Sequence, residues 1–196
     1  HIGSLIIKVD NSKLANRSFM INPDGVITAR YDKIHLFDVD LVGGESYRES
    51  SLYQRGEAMV VTDACHTTFG LTICYDLRFA YMHRALAHAG AKIILSPAAF
   101  TKPTGEAHWH ILLRASDIET GCYVLAAAQT GMHDTGRETY GHSLVVDPWG
   151  NVLLDAGLDV GAFVVDLDMS QVEKVRQKVP ALKHDQPISV ESIKAP

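Results

Sequence analysis

Cys74 stands where an apolar run gives way to a helical pattern, in Gly70-Leu71-Thr72-Ile73-Cys74-Tyr75-Asp76-Leu77-Arg78. A side chain at such a junction stands out of a sheet. Unpaired N–H groups at the helix start can lower a thiol pKa and hold an oxyanion, so nucleophilic attack on a carbonyl is the chemistry to consider. Taken alone, a cysteine in apolar surroundings reads first as a buried inert side chain. A reactive one needs a proton acceptor and a positive charge nearby. Lys33 leads a partly apolar stretch in Arg30-Tyr31-Asp32-Lys33-Ile34-His35-Leu36-Phe37-Asp38, although composition alone reads it as solvated. Glu45 and Glu49, in Glu45-Ser46-Tyr47-Arg48-Glu49-Ser50-Ser51, offer carboxylates that would otherwise be surface charges.

Histidine is the commoner base for a thiol, and the chain has ten, but they are scattered without a papain-like or caspase-like local signature. His108-Trp109-His110 invites a metal reading, yet two such ligands without a third nearby in sequence make a weak site. Most of the histidines read as structural or surface groups.

The elements that must position these residues follow from periodicity. Leu5–Val9, Ser18–Ile21 and Val26–Ala29 read as antiparallel strands, with Asn22-Pro23-Asp24-Gly25 as a turn. Residues 31–57 have no sustained period and include Gly43-Gly44, which predicts a long functional loop. Ala58–Thr62 and Phe69–Ile73 read as strands, Leu77–Ala89 as a helix stopped by Gly90, and Lys92–Leu95 as a short buried strand. Apolar spacing over Trp109–Thr120 predicts an amphipathic helix closed by Gly121, and Tyr123–Ala128 a strand. His142–Val146, Val152–Leu154 and Ala162–Leu167 read as a meander, and Asp168-Met169-Ser170 can cap a helix over Gln171–Lys178. This order predicts a sheet-based α/β layered domain; neither GxGxxG nor GxxxxGK[ST] occurs.

Composition narrows the partners. The chain has 196 residues, 46% hydrophobic, with net charge −5 and no basic run, which argues against nucleic acid or an anionic membrane. No apolar stretch approaches the roughly 20 residues that span a bilayer. Three cysteines, Cys65, Cys74 and Cys122, without CxxC spacing suit a reducing, cytoplasmic setting. His1 is no initiator methionine and Ile2–Val9 already reads as a strand in mid-fold. The expectation is an N-terminally incomplete domain.

Four blocks, Arg-Tyr-Asp-Lys-Ile-His-Leu-Phe-Asp-Val-Asp at 30–40, Tyr-Arg-Glu-Ser at 47–50, Leu-Thr-Ile-Cys-Tyr-Asp-Leu-Arg-Phe at 71–79 and Tyr-Gly-His-Ser-Leu-Val-Val-Asp-Pro-Trp-Gly at 140–150, resemble the nitrilase superfamily of carbon–nitrogen hydrolases. Within it they look closest to the Nit branch of omega-amidases and deaminated-glutathione amidases. The resemblance implies a four-layer α-β-β-α sandwich whose subunits pair into homodimers, with residues 1–179 supplying roughly its C-terminal two-thirds and 180–196 a tail, frayed or packed on a partner subunit. It implies a Glu-Lys-Cys triad with Cys74 as nucleophile, Lys33 as oxyanion-stabilising cation, and Glu49 as a second glutamate that positions substrate and lysine. The general-base glutamate is expected upstream of the segment matching Ile2–Val9, outside these residues. Glu106 is tempting as a base, but no family motif places one there, and a pocket-supporting role is expected.

Further expectations follow from the resemblance and the chemistry together. The Tyr75 backbone N–H joins Lys33 at the oxyanion. Arg78, four residues after Cys74, either binds a substrate carboxylate in bidentate fashion or forms a salt bridge with Asp76 or another loop acid. Tyr47, Phe100, Thr101 and Trp109 are candidates for the pocket wall. No metal or organic cofactor is called for. The expected substrate is a small linear amide bearing a carboxylate, cleaved through a thioester with release of ammonia. A nitrile or N-carbamoyl substrate uses the same triad, and a catalytically inactive interaction module is the reading from another class.

Overall fold

The computed structural model describes residues 1–10, 12–41, 46–134 and 136–193. Gly43, Gly44 and Glu45 therefore lie outside the described residues. A three-stranded antiparallel sheet, in the order β1-β2-β3, is formed by β1 (Ile2–Lys8), β2 (Leu14–Ile21) and β3 (Ile27–Asp32). The Asn22 side chain accepts from the N–H groups of Asp24 and Val26 and closes the expected turn, with Gly25 at φ +80°. Residues 31–57 are not all loop: β4 (Asp38–Asp40) pairs antiparallel with β5 (Ser46–Arg48), and a 3₁₀ turn follows at Glu49–Ser51. Alternation is too short there to show in sequence.

The central sheet has six strands. β6 (Val60–Ala64), β7 (Thr67–Leu71), β8 (Ile93–Leu95), β9 (Tyr123–Ala126), β12 (Leu144–Val146) and β13 (Val152–Asp155) run in the order β13-β12-β9-β8-β7-β6. The β7-β8-β9 core is parallel, and the outer pairings are antiparallel. A further hairpin, β10 (Thr130–Met132) with β11 (Glu138–Tyr140), was not legible from pattern because each arm is only three residues long.

The helices are α1 (Ala80–His88), α2 (Lys102–Thr120) and α3 (Ser170–Lys178). The expected helix from Leu77 starts instead at Ala80, because Cys74–Arg78 forms a separate 3₁₀ turn before it. α2 begins seven residues earlier than apolar spacing suggests, with Pro103 in its first turn, where the missing N–H costs nothing. Gly121 ends it at φ +60°. Asp168 accepts from the Ser170 N–H and caps α3 as expected. Residues 162–167 are irregular rather than a strand, and Val164 is 90% exposed. Their alternating pattern is present, but no described strand pairs with them.

Alternation along the sheet divides the core. Ile94, Val124, Ala126, Leu144 and Val146 pack with Trp109 and Leu113 of α2. Ile93, Leu95 and Tyr123 pack with Met20 and Tyr31 of the three-stranded sheet and Val172 of α3. α2 thus covers one face, and the small sheet with α3 covers the other. The tail is not wholly free: after a 3₁₀ turn at Ala181–Lys183, Asp185 ion-pairs with Arg84 and hydrogen-bonds His88 Nε2 of α1 at 2.7 Å.

α2 approaches the β10–β11 hairpin closely enough that a Cβ on Gly105 would lie 2.2 Å from Tyr140 Cβ. Gly105→Ala is expected to lower stability by about 1–3 kcal/mol, because either the helix or the hairpin must shift. Urea unfolding of the two proteins checks this.

Candidate active site

The chain must make a tight turn after β7, and Cys74 takes the cost with φ +50°, a left-handed conformation that a non-glycine residue rarely adopts. Its N–H donates to Pro97 O at 2.9 Å, tying the turn to the loop after β8. Asp76 holds the turn from beneath. This fully buried carboxylate accepts from Ile73 N–H (2.9 Å), Tyr31 Oη–H (2.6 Å) and His35 N–H (3.1 Å), and pairs with His35 Nδ1 at 2.7 Å. Burial first, then the Asp76 charge, push the Tyr31 phenol far above its ordinary pKa, so it stays a donor. Since Tyr31 and His35 flank Lys33, one carboxylate registers the cysteine turn against the lysine segment. Sequence reasoning offered Asp76 only as a possible partner for Arg78.

Lys33 is 3% exposed and ion-pairs with Glu49, whose side chain is 14% exposed. The same Glu49 Oε2 also accepts from Phe37 N–H at 2.6 Å. Glu49 is thereby committed to holding Lys33. Both line one cavity of about 470 Å³ together with Cys74, Tyr75, Arg78, Tyr47, Phe100 and Thr101. The residues singled out as nucleophile, cation, glutamate and oxyanion donor therefore border the same space, as do all the wall candidates except Trp109.

Cys74 is a partly exposed residue that lines the cavity, with its thiol buried. Burial raises its pKa above the ordinary cysteine value, while the Lys33 charge, the Ala99 N–H and the Arg137 charge pull it down and Glu49 pushes it up. Burial prevails, so at neutral pH the sulfur carries its proton. Attack requires a base to take it. On the turn, Cys74 N–H goes to Pro97 O and Asp76 N–H to Ile73 O; between them Tyr75 N–H has no acceptor among the described residues. An oxyanion could use it.

Arg78 has no carboxylate partner among the described residues. Its Nη2 lies 3.2 Å from His108 Nδ1, and its guanidinium sits 5.4 Å from the Phe100 ring centre. The salt bridge to Asp76 does not form, because Asp76 points into the turn. Trp109 is corrected from wall to core: it is fully buried, donates its indole N–H to His142 O at 2.8 Å, and backs Phe100 at 4.8 Å. Glu106 is exposed on α2 and does not line the cavity. His108 and His110 do not act as a pair. His110 instead faces Asp155 (2.9 Å), which also binds His142 (2.8 Å), so three potential ligand atoms lie within 4.8 Å of one another, outside the cavity. The sequence reading missed Arg137, which also lines the cavity; its only sequence signal is its place just before the Tyr-Gly-His-Ser block.

Comparison with known proteins places the chain among its relatives. The chain is 46% identical over 178 residues to a deaminated glutathione amidase of Yersinia enterocolitica, covering 90% of this chain and 62% of that one. The C. elegans NitFhit protein superposes with a TM-score of 0.88 at 40% identity, covering 94% of this chain and 46% of that one. A mutant amidase from Nesterenkonia sp., solved after Michael addition of acrylamide at its active-site cysteine, superposes with a TM-score of 0.74 at 27% identity, covering 90% and 66% of the respective chains. The chain spans about three-fifths of the length of the curated relatives it matches. The profile of the carbon-nitrogen hydrolase family matches residues 2–177, and with relatives at this identity it follows that the chain belongs to the carbon-nitrogen hydrolase family.

Proposed function

We propose that this protein hydrolyses a small linear amide bearing a carboxylate, through a thioester on Cys74. The observation that carries this reading is the convergence of Cys74, at a strained turn, with the buried Lys33–Glu49 pair in a single cavity. As sulfur attacks the amide carbon, negative charge grows on the carbonyl oxygen, where Lys33 Nζ and the Tyr75 N–H stabilise it. Glu49 holds the lysine in place. A base takes the thiol proton and returns it to the leaving nitrogen, which departs as ammonia from a primary amide or as an amine from a substituted one. The resemblance implies a glutamate for that role, distinct from Glu49. Water then releases the acid from Cys74.

Arg78 supplies the carboxylate preference. Its guanidinium is in the cavity, stacked on Phe100 and free of any described acid, so a carboxylate can take both N–H groups. The family name of the relatives supports an amide over a nitrile or carbamoyl substrate. A homodimeric, cytoplasmic enzyme that needs no metal or organic cofactor completes the reading.

Ammonia release from succinamate and from neutral butyramide tests it. Arg78→Gln is expected to raise KM for succinamate about tenfold or more while leaving KM for butyramide unchanged. Equal effects on both amides would remove Arg78 from substrate recognition.

A further inference from the structure

A second cluster of chemistry-bearing side chains lies outside the cavity, where α2, the connection from β11 to β12 and the end of β13 meet. His110 comes from α2, His142 from the connection and Asp155 from β13. Asp155 Oδ2 sits 2.9 Å from His110 Nε2, while His142 Nδ1 lies 2.8 Å from Oδ1 and 3.1 Å from Oδ2. In sequence, His108-Trp109-His110 had no third ligand nearby. The fold turns His108 toward Arg78 and gives His110 two partners from other elements instead.

The three groups are held from behind. His142 takes φ +57°, with its N–H on Gly157 O (2.7 Å) and its carbonyl accepting the Trp109 indole N–H (2.8 Å). Its ring stacks on Tyr140 at 4.3 Å, and the His110 ring stands edge-on to the same tyrosine at 5.9 Å. Tyr140 Oη is 3.4 Å from His110 Nδ1, the nitrogen that carries the proton once Nε2 is a ligand. Asp155 Oδ1 also accepts from Gly157 N–H at 2.9 Å, which orients the carboxylate. Outer partners of this kind fix ring orientation and tautomer at a metal ion.

The structure assigns His110, His142 and Asp155 as a zinc site. Ligands about 2.0–2.1 Å from a tetrahedral ion stand roughly 3.3–3.4 Å apart, so opening the imidazole–carboxylate contacts by about half an ångström, with small ring rotations, admits one. Each neutral imidazole binds through the nitrogen that faces Asp155 and keeps its proton on the other, so two hydrogen bonds give way to three coordinate bonds. The side chains are 25–33% exposed, which leaves an entry path and a coordination position for water. Two imidazoles and one carboxylate suit a borderline ion, whereas Mg²⁺ and Ca²⁺ prefer oxygen ligands throughout. None of the three residues lines the Cys74 cavity, so the ion is structural and pins α2 to β13 and to the strand connection. The inference does not depend on the amidase reading.

Zinc uptake by the intact protein tests it. Cys65→Ser with Cys74→Ala forms the background, because both free thiols compete for the ion. There, a single equivalent of Zn²⁺ is expected to bind in calorimetry, to raise the thermal midpoint and to resist displacement by about a hundredfold excess of Mg²⁺. Heteronuclear NMR is expected to identify His110 Nε2 and His142 Nδ1 as the coordinated nitrogens. His110→Gln and Asp155→Asn are each expected to weaken binding about 100-fold or more and to cancel the thermal shift. His142→Asn, which tolerates the left-handed backbone, gives the same result and serves if another variant fails to fold. No uptake, uptake undiminished by these substitutions, or ready displacement by Mg²⁺ overturns the assignment and leaves two histidines hydrogen-bonded to one aspartate.

Discussion

Cys74→Ala is expected to abolish amide hydrolysis in the intact protein, a loss of about 10⁴-fold or more, while circular dichroism and thermal unfolding stay close to those of the parent. The proposed chemistry needs the sulfur; the turn does not. That turn is held by Cys74 N–H on Pro97 O and by Asp76 on Ile73 N–H, neither of which involves the side chain of Cys74. The pH dependence of the thiol gives a second readout. Burial raises the Cys74 pKa, so iodoacetamide labels it slowly at neutral pH and faster as pH climbs beyond the ordinary thiol range. Labelling as rapid at pH 6 as at pH 9 would mean a resident thiolate, and the need for an external base would disappear. Residual hydrolysis near the parent level in Cys74→Ala would sink the covalent mechanism outright.

Lys33→Met is expected to produce the second large effect, and on two quantities at once. Loss of the oxyanion cation lowers kcat/KM by about 10²–10³-fold. The change also leaves Glu49 with its charge largely desolvated and unpaired, which lowers stability by about 3–5 kcal/mol. Because Lys33 is the strongest influence holding the Cys74 pKa down, the labelling midpoint moves to higher pH. The double variant Lys33→Met/Glu49→Met separates the two roles. It is expected to recover most of the stability, since no buried charge is left alone, and none of the activity. Recovery of both would mean that the pair only holds the fold together.

The residues that line the cavity were largely legible from sequence, because the short contiguous blocks that carry Lys33, Glu49 and Cys74 resemble those of a known family, whereas composition alone reads Lys33 as solvated and Cys74 as inert. Arg137 was not, since a lone arginine after a glycine in a loop has no pattern to mark it. Trp109 was misplaced for a related reason: an aromatic residue on α2 faces either the cavity or the core, and one step of helical phase decides which. Secondary structure was read well over α3, while the β2–β3 hairpin was placed but read short, since β2 begins at Leu14 and β3 runs on to Asp32. It failed over β4–β5 and β10–β11, where three-residue strands draw their stability from pairing across the chain. The irregular stretch 162–167 shows the converse, a strand pattern without a described partner to pair with.

What the sequence by itself determined is therefore the cast: a thiol at a strand-to-helix junction, a lysine, a glutamate and an arginine in ordered blocks. Only the tertiary structure decided their relations. Asp76 could not be recognised as the hub from its place in the chain, because its partners Tyr31 and His35 lie more than 40 residues away. The pairing that neutralises Lys33, the desolvation that keeps the thiol protonated and the two unpaired guanidinium groups facing one cavity all depend on distance and dielectric. Those are properties of packed elements, set when β7, the loop after β8 and the β10–β11 hairpin meet around Cys74.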